Sequence, residues 1–125
     1  MRALPFLAVA LAALAVSACV ERTRPPGDPL ICYHVVPQRD GSLKYNKLVS
    51  VPTMEACAGN LEAMRIKFLR LGGSQQEIYG AYQANFLFLQ REGIFTADSL
   101  EGPRFVFLVR TGDGRLAVPG AMPVQ

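Results

Sequence analysis

Between positions 52 and 72 apolar residues recur at alternating steps of three and four: Met54, Cys57, Leu61, Met64, Phe68 and Leu71. That spacing stacks them on one stripe of an α-helix. Thr53 can cap the first turn, Glu55 sits near the positive end of the helix dipole, and Arg70 lies near the negative end. Gly72-Gly73 supplies the stop, because glycine takes the left-handed geometry after a helix at little cost. Cys57 belongs to the stripe, so it should point at whatever the helix packs on, with Cys32 as its natural partner.

The pattern before the helix is that of strands. Residues 30–36 (Leu-Ile-Cys-Tyr-His-Val-Val) are branched and aromatic and end at Pro37. Asp40-Gly41 marks a hairpin turn, and residues 43–51 return as a second strand. Residues 74–93 are ambiguous. Ser74 with Glu77 fits a capping box, and Ile78, Tyr82, Phe86 and Leu89 could line a second helix. Gly80 and Asn85 interrupt that helix, and residues 85–90 have the density of a buried strand. The favoured reading is a short helical or irregular start followed by a strand over 86–90. A short edge strand over 94–100, a turn at 101–103 and a strand over 104–110 follow. Thr111-Gly112-Asp113-Gly114 turns the chain back into residues 115–118, and 119–125 form a loosely held tail. The expected class is α+β: an antiparallel sheet of about four or five strands with one long helix packed on a face, its start disulfide-linked to the first strand.

The first nineteen positions change how the rest is read. A basic start (Arg2) precedes the apolar run 4–16, which is too short to cross a bilayer core of about 30 Å comfortably. Small residues then lead to a cysteine, in the manner of an export signal. The exit sequence Val16-Ser17-Ala18-Cys19 resembles the lipobox of bacterial lipoprotein precursors: a branched apolar residue, two small residues, then cysteine. The resemblance covers only this stretch. It implies cleavage before Cys19, a diacylglycerol on its sulfur and an acylated amine, hence a membrane partner through the lipid on Cys19. Val20 is not aspartate, which by resemblance to enterobacterial sorting implies the outer membrane, its inner leaflet facing the periplasm. The alternative is ordinary signal cleavage after Ala18, which leaves a free cysteine at the terminus of an exported protein.

Segments 1–18 and 19–29 are therefore read as the signal and as the lipidated cysteine with its tether, 30–118 as one domain and 119–125 as tail. The tether is rich in proline and mixed charge, without apolar periodicity, and reaches roughly 30 Å when extended. Of three cysteines, spending Cys19 on lipid leaves Cys32 and Cys57 as a pair in an oxidising compartment. The precursor carries a formal charge of +3, and removing Arg2 with the signal leaves +2. That is too mild to argue for nucleic acid.

Enzyme signals fail on inspection. Gly112-Asp113-Gly114-Arg115-Leu116-Ala117 matches G-x-G-x-x-A, but Pro119 leaves no room for the helix that must hold a pyrophosphate, so a hairpin turn is the better reading. His34 shares a strand face with Cys32 and should be a packed, hydrogen-bonded core residue. A Cys–His nucleophile pair would need the thiol that the disulfide removes. No metal-binding, cofactor or paired-carboxylate pattern stands out. Glu62, Arg65, Lys67 and Arg70 lie off the apolar stripe and read as a solvated face.

The expected role is a lipid-anchored, non-catalytic binding or assembly module working on an envelope protein partner. An inhibitor or pilot-type lipoprotein and a small cell-wall hydrolase are the alternatives. Two groups of residues are stranded by a simple helix-on-sheet picture. Ile66 falls opposite the apolar stripe with Leu69 beside it, and Ile31, Tyr33 and Val35 face away from Cys32. Unless the domain's later strands or tail cover them, they are the expected docking surface.

Overall fold

A computed structural model of the chain describes residues 22–73 and 77–120. The signal, Cys19, Ser74 of the expected capping box and the tail from 121 lie outside the described residues. The chain runs β1 (Ile31–Pro37), β2 (Leu43–Ser50), α1 (Met54–Arg70), β3 (Ile78–Tyr82), β4 (Asn85–Gln90), β5 (Gly93–Ala97), β6 (Phe105–Arg110) and β7 (Leu116–Ala117). The strands form one antiparallel sheet in the order β2-β1-β3-β4-β5-β6-β7. This corrects the expected α+β domain of four or five strands: seven strands meet a single helix, and the described chain is mainly sheet.

The difference arises in residues 78–90, where two strands stand in place of an irregular start and one strand. Both are central and largely buried, so neither shows the polar alternation that marks a half-exposed strand. Gly80, which reads as a helix breaker, has a packing reason instead. A Cβ there would lie 2.2 Å from the Leu61 side chain of α1 and 3.1 Å from the Tyr33 carbonyl oxygen. The missing side chain lets the helix settle on β3. Gln83 and Ala84 make the tight turn between β3 and β4 with φ of 45° and 63°, and the Ala84 amide donates to the Pro26 carbonyl at 3.0 Å.

The local features of α1 follow its sequence. The Thr53 hydroxyl accepts from the Ala56 amide at 3.1 Å, and Gly72 ends the helix at φ 86°. Cys32 on β1 is bonded to Cys57 in the first turns of α1, their Cα atoms 5.3 Å apart. The helix is nevertheless turned on the sheet relative to the expected stripe. Its buried residues are Cys57, Ala58, Leu61, Glu62 and Arg65. At about 100° per residue, their centre lies roughly 60° around the helix from that of the stripe.

An ion cluster accounts for the turn. Arg110 of β6 grips Glu62 with two guanidinium nitrogens, one of them (Nη2) at 3.0 Å from Oε1. Its Nη1 donates to the carbonyls of Gln90 and Arg91 in the β4–β5 turn. Arg65 lies 3.5 Å from the same carboxylate. The expectation of a solvated face is thus corrected for Glu62 and Arg65, which are buried, while Lys67 and Arg70 are exposed.

Both faces of the sheet carry a core. Under α1, Cys32, Leu61, Ile78, Tyr82, Leu87, Leu89, Ile94 and Leu108 pack together. On the far face Tyr33, Val35, Ala81, Phe86, Phe88 and Ala97 form a second cluster, with the Arg104 guanidinium 3.7 Å above the Phe88 ring. Residues 22–29, expected to be tether, and Leu30, expected to open the first strand, form a strap across the ends of the strands. The Thr23 amide and hydroxyl both donate to Glu101, at 2.8 and 2.6 Å, and the Leu100 amide donates to the Thr23 carbonyl at 2.9 Å. Pro25 is buried. Asp28 accepts from the Tyr33 hydroxyl at 2.6 Å, a bond that raises the tyrosine pKa above its ordinary value.

Candidate functional site

The turn of α1 leaves an apolar groove on the side of the helix that faces β1. Alternation along β1 sends Tyr33 and Val35 to the far core and His34 to the helix side. There His34 meets Met64, Lys67, Phe68 and Leu71 around an open space of 420 Å³. Phe68 is 48% exposed and Leu71 78% exposed, although both belong to the stripe that the sequence marks for burial. Phe68 sits in the last turn of α1 and Leu71 just after it at the C-cap, while the disulfide and the Glu62–Arg110 contact hold the earlier turns to β1 and β6.

His34 differs from its expectation. It is half-buried rather than packed, and its ring makes no hydrogen bond to another described residue. Burial holds its pKa below the ordinary 6.5, since the charged ring would lose hydration there. Just below pH 6.5 the unfolded chain therefore binds the proton more readily than the folded one. This contribution to stability is fully present above pH 6.5 and is lost as pH falls toward the lowered folded value. Denaturant titrations over about pH 5 to 8 should show a positive slope of stability against pH that His34→Leu flattens.

The other expected surface residues fall in different places. Tyr33 and Val35 are buried in the far core and Ile31 packs against it, while Val35 also lines a 240 Å³ apolar recess on that face with Leu43, Tyr79, Phe86, Phe88 and Leu100. Ile66 lines a separate 550 Å³ groove between α1 and the β6–β7 hairpin, together with Glu62, Leu108 and Leu116. Leu69 is half-buried. The structure does not bring Ile66 and Leu69 together with Ile31, Tyr33 and Val35. Sequence reasoning missed Phe68 and Leu71 as surface residues. The available signal was length, because an apolar stripe running to the final turn of a helix can overhang the sheet beneath it.

The groove is suited to binding. Its only titratable ring is His34, its cation is Lys67, and the nearby Cys32 is consumed by the disulfide. Residues 112–117 form the β6–β7 hairpin turn and strand, with Asp113 accepting from the Arg115 amide at 3.1 Å. Among the described residues no group of three or more His, Cys, Asp or Glu side chains could hold a metal ion, and no helix is long and apolar enough to cross a membrane. No family model, no curated protein and no solved structure matches this chain.

Proposed function

We propose that the chain is a lipid-anchored envelope protein, held through Cys19 in the periplasm-facing leaflet of the outer membrane, whose domain binds a protein partner without catalysis. The observation that carries the binding role is the exposed pair Phe68 and Leu71 beside His34, left uncovered by a helix whose position is fixed elsewhere. Large apolar side chains grouped in a groove are the usual anchors of a protein contact. Lys67 in the lining and Arg70 on the same helix give the rim a positive charge. The partner is accordingly a protein segment that offers an apolar side chain with acidic neighbours.

A photoreactive residue at position 68, used in intact cells, tests both halves. One stoichiometric protein adduct is expected, weakened by Lys67→Glu with Arg70→Glu and missing when the reactive residue stands at exposed Glu92 on the β4–β5 turn. A mass increment of acyl chains on Cys19, lost in Cys19→Ser, is expected in the same cells. Equal capture from positions 68 and 92 would defeat the groove, and an unmodified Cys19 would defeat the anchor. A single tight partner would further assign the inhibitor or pilot role rather than a general scaffold.

A further inference from the structure

The strap fixes more than the far core. Thr23 is bound to Leu100 and Glu101, and Arg22 beside it lines a 390 Å³ recess with Thr96, Asp98, Pro103 and Phe105. Only three peptide steps separate Arg22 from Cys19, a reach of about 11 Å at most. Any lipid on Cys19 therefore leaves the chain within about 11 Å of Arg22, a distance of the same order as the headgroup layer of one leaflet, roughly 5–8 Å. Phe105 and Val106, the first two residues of β6, stand at this end of the sheet, 63% and 53% exposed. β7 pairs only with Val109 and Arg110, so among the described residues no strand is paired to the outer edge of Phe105 and Val106.

We propose that the start of β6 rests on the leaflet that holds the Cys19 lipid, with Phe105 and Val106 at the boundary between headgroups and acyl chains. This rests on the lipid-anchor reading given above. The occupant follows from the length of chain between Cys19 and the strap. A bilayer surface is the one partner that the anchor itself brings to this edge. Charge is largely balanced at this edge: Arg22 shares the recess with Asp98 and acts on the Glu101 carboxylate, and Arg104 lies over Phe88 and pairs with Glu77 at 3.5 Å, leaving exposed Arg24 as the strap's other cation. The contact is apolar and should be insensitive to salt. It also leaves the His34–Phe68 groove, on the helix side of β1, free for a protein.

The test uses the full acylated protein carrying a photoreactive phenylalanine analogue in place of Phe105, reconstituted in phosphatidylethanolamine–phosphatidylglycerol vesicles. A phospholipid adduct at position 105 is expected, at unchanged yield in high salt, and far less lipid adduct when the analogue replaces Phe68. Val106→Asp in the same protein should reduce the adduct several-fold while the acyl mass on Cys19 stays. An acylated protein that gives no lipid adduct at 105, or equal lipid adduct at 105 and 68, overturns this orientation and leaves the anchor standing. Capture of a second copy, or of another envelope protein in cells, assigns the edge to that partner and overturns it too. A Cys19 without acyl mass removes the anchor reading and this proposal with it.

Discussion

Glu62→Ala is expected to destabilise the domain by about 3–5 kcal/mol, the usual cost of removing one partner from a buried ion pair. The carboxylate accepts two guanidinium contacts from Arg110 and neighbours Arg65, and it is itself buried. Without it Arg110 keeps its bonds to the Gln90 and Arg91 carbonyls, but its charge stays half-buried with no carboxylate. Arg110→Met alone should cost a comparable amount, since it leaves Glu62 with less compensation. The double variant Glu62→Leu with Arg110→Met should recover part of the loss, because an apolar pair of similar volume bears no desolvation penalty, while Arg65 still loses its carboxylate neighbour. Urea denaturation of the wild type, Glu62→Leu, Arg110→Met and their double variant closes the cycle and gives the coupling directly. Additive losses would show that the pair does not hold α1.

Breaking the Cys32–Cys57 bond should cost about 3 kcal/mol, the chain-entropy value for cross-links of this loop size. The bond joins residues 25 apart and lies in the core under α1. For a domain of this size, a loss of about 3 kcal/mol corresponds to a fall in Tm of roughly 12–24 °C. Cys32→Ala with Cys57→Ala is the clean variant, since a single change leaves a reactive thiol. Both sulfurs should also resist alkylation until a reductant is added. Free reactivity in the native protein would defeat the pairing and reopen His34 as a partner for a thiol.

The parts of the fold legible in the sequence are those written locally. Thr53, the glycines at 72 and 73 and the repeating apolar spacing define α1 within a few neighbouring residues. The cysteine pairing was legible because an odd count with one cysteine assigned leaves a single choice. What escaped was set by distant partners. The turn of α1 depends on Arg110, which is 48 residues from Glu62. β3 was hidden because Ile-Tyr-Gly-Ala-Tyr is buried and carries a glycine whose reason lies on the helix above it. The strap was missed because Thr23 and Pro26 hold it partly through backbone carbonyls, which no side-chain pattern encodes. The candidate groove was misread for the same reason as the helix: Phe68 and Leu71 look like core until the sheet's extent is known.

The strap also sets an order of events during folding. Thr23 lies near the beginning of the described chain, and the carboxylate that receives it comes 78 residues later. The strap precedes its seat along the chain, so residues 22–30 must wait while β1 to β5 and the following loop take shape. Contacts between such distant positions form late because the chain must first close a long loop. Until then Tyr33, whose hydroxyl donates to Asp28 of the strap, lacks that partner. In the interval before Glu101 captures Thr23, the folding domain lacks the contact that joins the start of its described chain to the loop between β5 and β6.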